Sequence, residues 1–64
     1  MIKLTNGESP TPGQLITKRN AAHLSQTAAA KLVYVALRTW QDWEAGKAAM
    51  PPGLWELFCN KVSS

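Results

Sequence analysis

The stretch Lys31–Glu44, KLVYVALRTWQDWE, decides the fold. Its opening run, Leu32-Val33-Tyr34-Val35, is short, apolar, β-branched and aromatic, the signature of a buried strand. The same run lies between two helix-like segments, where it can instead form a tight turn. Periodicity further along separates the two readings. Trp40, Trp43, Glu44 and Lys47 recur at helical spacing, while Arg38, Gln41, Asp42 and Ala45 fall on the opposite face. That pattern predicts a helix from about Leu37 to Ala45, stopped by Gly46 as its C-terminal cap. A strand at Leu32–Val35 has no second strand of comparable quality with which to pair, and an isolated strand leaves its backbone unsatisfied. The expected reading is therefore a turn in an all-α chain.

Working outward, Ser25 is a helix N-cap, and Gln26 to Leu32 has high helix propensity apart from Thr27. Before it, Thr11-Pro12 offers a cap followed by proline at the first helical position, and Gln14 completes a capping-box pattern. These signals predict a helix from about Pro12 to Ala22. Met1–Pro10, with Asn6-Gly7 and Ser9-Pro10, has turn and loop chemistry and is expected to be a lead-in (1–10) to a single domain (11–64). After the break at Met50-Pro51-Pro52-Gly53, Leu54, Leu57, Phe58 and Val62 mark an amphipathic fourth helix reaching about Val62.

Composition narrows the function. A chain of 64 residues is one domain with a marginal core, since at this size only about 60% of the unfolded surface is buried. The hydrophobic share of 45% against 17% charged favours a globular chain with reason to self-associate. Cys59 is the only cysteine and His23 the only histidine, so neither a disulfide framework nor a metal-ligand spacing is available. The absence of a membrane-length apolar run and of a signal-like start points to a cytoplasmic protein. A net charge of +3 and a pI near 9.4 give modest support for a polyanionic partner. There is no nucleophile–base pairing signature and no phosphate-cradling glycine loop. His23 stands at the end of the first helix, where a cation complements the helix dipole, so neither enzymatic activity nor a cofactor is expected.

Leu24-Ser25-Gln26, followed by Ala30, Val35, Thr39, Trp40, Trp43-Glu44 and Gly46, resembles the helix-turn-helix of the phage repressor and Cro family. The resemblance runs without gaps through the core motif and covers about Gln14 to Lys61. Within the family, LRTWQDWEAGKAAMPP is more similar to small phage-borne members, among them anti-CRISPR-associated repressors. The resemblance implies a compact four-helix lambda-repressor-like domain that binds double-stranded DNA. It also implies that Gln26, at the start of the second helix, touches a phosphate, and that Arg19 and Glu44 form an ion pair between the first and third helices. Two positions depart from the pattern. Tyr34 stands where the family has glycine at the turn, and Ala36 stands where serine or threonine caps the following helix.

The outward face of the third helix carries side chains suited to base edges. Arg38 can donate a bidentate pair to guanine, Gln41 can pair with adenine, and Asp42 can accept from cytosine. Leu37 and Thr39 flank that face, and Lys47 and Lys31 are candidate phosphate contacts, whereas Lys18 and Lys61 need be no more than solubilising charge. Trp40 and Trp43 are expected in the core beside Ala30. Trp55, with Phe58 and Val62, either completes the core or forms an apolar patch at a dimer contact. One such module contacts too little DNA for strong specificity, so a homodimer on an inverted-repeat operator is expected, acting as a transcriptional repressor on a phage or mobile element. No membrane or small-molecule partner is indicated. The rival reading is a protein–protein interaction module of the same fold with weak DNA affinity.

Overall fold

The computed structural model describes residues 9–63 and is all-helical, with α1 at Pro12–Ala21, α2 at Gln26–Leu32, α3 at Leu37–Ala45 and α4 at Pro52–Ser63. Most of the expected lead-in lies outside the described residues, as does Ser64. Local chemistry sets most of the helix ends. The Thr11 hydroxyl accepts from the Gln14 amide at 3.1 Å, and the Gln14 side chain accepts from the Thr11 amide at 2.9 Å. These are the two reciprocal bonds of a capping box. Ser25 caps α2 by accepting from the Ala28 amide at 3.0 Å. Ala36 caps α3 without a side-chain hydrogen bond. The fourth helix starts earlier than its apolar spacing predicts, because Pro52 is pre-organised for the first helical position, and the Pro51 carbonyl accepts from Leu54 and Trp55.

The run Leu32–Val35 holds no strand: Leu32 ends α2, and the residues after it form the turn. The Val35 amide donates to the Ala30 carbonyl at 3.0 Å and the Tyr34 amide to that of Lys31 at 3.2 Å. This pair of bonds is a Schellman closure, which needs a left-handed residue just past the helix. Tyr34 fills that position with φ of 62°. The same closure ends α1, where Leu24 bonds back to Arg19 and His23 to Asn20, with His23 at φ 60°. It also ends α3, where Lys47 bonds back to Asp42 and Gly46 adopts φ 79°. Glycine takes this conformation freely, whereas at His23 and Tyr34 an L side chain costs roughly 1 kcal/mol or more.

Alternation around the turn sets what packs. Val33 points inward and is buried, while Tyr34 is 79% exposed. The core gathers Leu15 from α1, Ala29 and Ala30 from α2, Trp40 and Trp43 from α3, Met50 from the α3–α4 loop and Phe58 from α4. Ala29 and Ala30 bring α2 close to α3, and the space this leaves is filled by indole. Trp40 packs against Trp43 with ring centroids 5.6 Å apart and against Phe58 at 5.0 Å, both tilted, the arrangement aromatic quadrupoles favour. Of the two places left open for the apolar residues of α4, Phe58 takes the core. Trp55 and Phe58 stand three residues apart on α4, and the turn of the helix puts Phe58 against Trp40. Among the described residues no helix is long and apolar enough to cross a membrane.

Candidate nucleic-acid interface

Glu44 fixes α3 to the rest of the chain. Its carboxylate accepts from Arg19 Nε at 2.6 Å and Arg19 Nη2 at 3.1 Å, a bidentate pair from α1 to α3. The remaining acceptor sites take Trp40 Nε1 at 2.6 Å and Gln26 Nε2 at 3.0 Å. Arg19 spends another donor, Nη1, on the Leu24 carbonyl at 3.0 Å, which ties the α1–α2 connection into the same cluster. The charged side chains are 15% exposed for Arg19 and 6% for Glu44. A charge withdrawn from water this far is tolerable only when its lone pairs and protons are satisfied, and here they are. Burial pushes the Glu44 carboxyl up, but the hydrogen bonds from Arg19, Gln26 and Trp40 and the Arg19 charge outweigh it, holding the group below the usual carboxylate range.

Anchored from behind in this way, α3 presents its other side to solvent. Leu37, Arg38, Thr39 and Gln41 are exposed, and Asp42 lies at the edge of the face, half-buried. Arg38 Nε and Asp42 Oδ1 are 3.2 Å apart, one helical turn from each other, with side-chain exposures of 78% and 31%. An exposed pair of this kind contributes only about 0.3–0.5 kcal/mol. It opens at little cost when a better partner for the guanidinium arrives. Lys47 follows Gly46 at the exposed C-terminal end of α3.

Gln26, at which the resemblance implies a phosphate contact, has its side chain bonded within the fold. Its side chain does not point away from the body. Nε2 donates to Glu44, and Oε1 accepts from Gln41 Nε2 at a long 3.4 Å. Gln26 thus links α2 to the exposed edge of α3 through Gln41. Sequence spacing pairs Trp40 with Glu44 one helical turn away, but the convergence of Gln26 on the same carboxylate depends on how α2 crosses α3 and leaves no local signal.

Trp55 is half-buried. It stacks on Phe58 with centroids 6.3 Å apart and lines an open groove of about 610 Å³ between α1 and α4, together with Thr11, Gln14, Thr17 and Lys18. Cys59, on the same helix, is partly buried, and that burial pushes its thiol up. No group of three or more His, Cys, Asp or Glu side chains is arranged to hold a metal among the described residues. The chain matches no protein-family model and no curated protein.

Proposed function

We propose that the chain is a helix-turn-helix regulator of the phage repressor and Cro type, binding double-stranded DNA in a sequence-dependent way and repressing a promoter on a phage or mobile element. The observation that carries this reading is the two-sided character of α3. One side is locked by Trp40, Trp43 and Glu44, while the other offers Arg38, Thr39 and Gln41 to solvent. A rigid helix with an exposed guanidinium and amide in its first turns fits the major groove, where arginine reads guanine and glutamine reads adenine. Asp42 is a switchable partner. It holds Arg38 in the free protein and can release it to a base edge. Lys47 and Lys31 supply phosphate contacts, and the first turn of α2 at Gln26 approaches the strand. Catalysis forms no part of this reading.

Two copies act together on a two-fold operator, since one module of this size contacts only about 600–1,000 Å² of DNA. The half-buried Trp55 supports a contact between copies at the α1–α4 groove. Half-sites are then separated by one helical turn, roughly 34 Å, or a multiple of it. Titrating the chain onto duplex DNA over a range of salt tests the reading. DNA binding weakens steeply as salt rises, whereas apolar docking of a protein partner does not. Sedimentation of the complex gives the number of copies bound, and a single copy saturating a full operator contradicts the dimer.

A further inference from the structure

Tyr34 combines a strained backbone with an exposed side chain. Its backbone is left-handed, the conformation glycine accepts most easily. The residue is 79% exposed, so burial does not offset that strain. Its side chain meets Lys61, on α4. The ammonium donates to the Tyr34 hydroxyl at 2.9 Å and lies 4.4 Å from the ring centroid. An exposed hydrogen bond and an exposed cation–π contact are both weak supports for a fold. A large aromatic at this turn therefore makes sense through something other than folding, and local strain of this kind concentrates at functional positions.

The chemistry of the pair indicates what it takes. A tyrosine hydroxyl that accepts from Lys61 keeps its own proton to donate, and the ammonium keeps further donors, so the pair offers hydrogen-bond donors and a positive charge and is suited to an oxyanion. Its place in the fold selects among oxyanions. Tyr34 sits two residues before Ala36, which lends no side chain to the first-turn amides of α3, and it lies within about 11 Å of Leu37 along the chain. The neighbouring exposed positions are Leu37, Arg38 and Thr39, the start of the face assigned above to base edges. Beside a helix lying in a groove, the recurring anion is the phosphodiester.

We propose that Tyr34 and Lys61 form a phosphate-gripping pair that fastens one DNA strand beside the start of α3, an inference that rests on the DNA-binding reading. Tyr34 is kept at the turn for this contact, at the expense of fold stability. Lys61 belongs to the contact rather than to general solubility.

The full chain is titrated onto a mixed-sequence duplex at several salt concentrations, with melting temperature and sedimentation measured for each variant. Lys61→Gln is expected to lower the salt slope by about one unit per protomer, which at ~0.1 M salt is roughly an eightfold loss of affinity. Tyr34→Phe keeps the ring over Lys61 but not the hydroxyl, and is expected to weaken binding roughly two- to tenfold with the slope nearly unchanged. Tyr34→Gly is expected to weaken binding while melting no lower than the parent. If the parent binds in a salt-dependent way and Lys61→Gln and Tyr34→Phe leave affinity and slope unchanged, the pair is not a phosphate site. If Tyr34→Gly melts lower, or the variants change the sedimentation of the free protein, the ring serves folding or a protein contact and the proposal is overturned. If the parent shows no salt-dependent binding at all, the DNA-binding reading falls and this inference falls with it.

Discussion

The third helix carries two arginine–carboxylate pairs on opposite sides, and they differ in nearly every physical respect. Arg19–Glu44 spans α1 to α3 with a 2.6 Å contact and side chains 15% and 6% exposed. Arg38–Asp42 lies within one turn of α3 at 3.2 Å, with exposures of 78% and 31%. The first carboxylate receives four donors from Arg19, Gln26 and Trp40. The second has one recorded bond from Arg38. The same pair of functional groups therefore acts as an architectural clasp on one face and as a loose tether on the other. Burial and the number of satisfied hydrogen bonds make the difference, not the chemical identity of the partners.

The largest expected effect comes from breaking the clasp. Arg19→Ala leaves the Glu44 charge buried among groups that satisfy it only in part, at a cost of about 3–5 kcal/mol. In a chain this small that corresponds to a fall in melting temperature of well over 10 °C by about 4–8 °C per kcal/mol. A parent-like melting curve for this variant would remove the clasp from the account.

Acid sharpens the same contrast. Because the Glu44 carboxyl titrates below its unfolded-state value, the folded chain binds fewer protons there than the unfolded one. The stability this contributes is fully present above the unfolded value of about 4.3 and is lost as pH falls through the folded value. Chemical denaturation of Glu44→Gln across the acid range is therefore expected to show a shallower loss than the parent. An identical slope in both proteins would mean that the acid sensitivity arises elsewhere.

Smaller effects come from the helix ends. His23→Gly relieves a left-handed L residue whose side chain is exposed, and is expected to stabilise by up to about 1 kcal/mol. Ala36→Ser supplies the side-chain cap that α3 lacks, for a gain of about 0.5–1 kcal/mol. Thermal melts of the two single variants and the double check both the sign and the additivity, the two sites standing at the ends of different helices. The smallest change is expected from Arg38→Ala, whose loss of an exposed tether shifts stability by no more than about 0.5 kcal/mol. A large destabilisation there would show that the two pairs are not different in kind.

What the amino-acid sequence revealed of this arrangement follows the range of the interactions involved. Thr11, Ser25 and Gly46 act on neighbours within a turn, so their capping roles are legible from local spacing. The turn at Leu32–Val35 needed a longer view, through the helical period of Trp40 and Trp43 and the lack of a pairing strand. Two features were not legible. Gln26 joins Glu44 only because α2 crosses α3 at a particular place, and an amide near a helix start carries no mark of that crossing. Trp55 and Phe58 are both apolar and three residues apart, and spacing cannot say which of them the aromatic cluster of α3 encloses. The angle at which α4 meets Trp40 decides it, burying Phe58 and leaving Trp55 at the groove.

We propose that the exposed side of α3 reads base sequence while its buried side holds the helix in place. The most direct test is to enrich a site from a randomised duplex pool and compare Arg38→Ala with the parent on that site and on mixed-sequence DNA, at several salt concentrations. The expected result is a loss of about 1–3 kcal/mol on the enriched site, relaxed preference at one position per half-site, and little change on mixed-sequence DNA. Equal losses on both DNAs would make Arg38 a phosphate contact, and a parent that enriches no site would contradict sequence reading by α3 altogether.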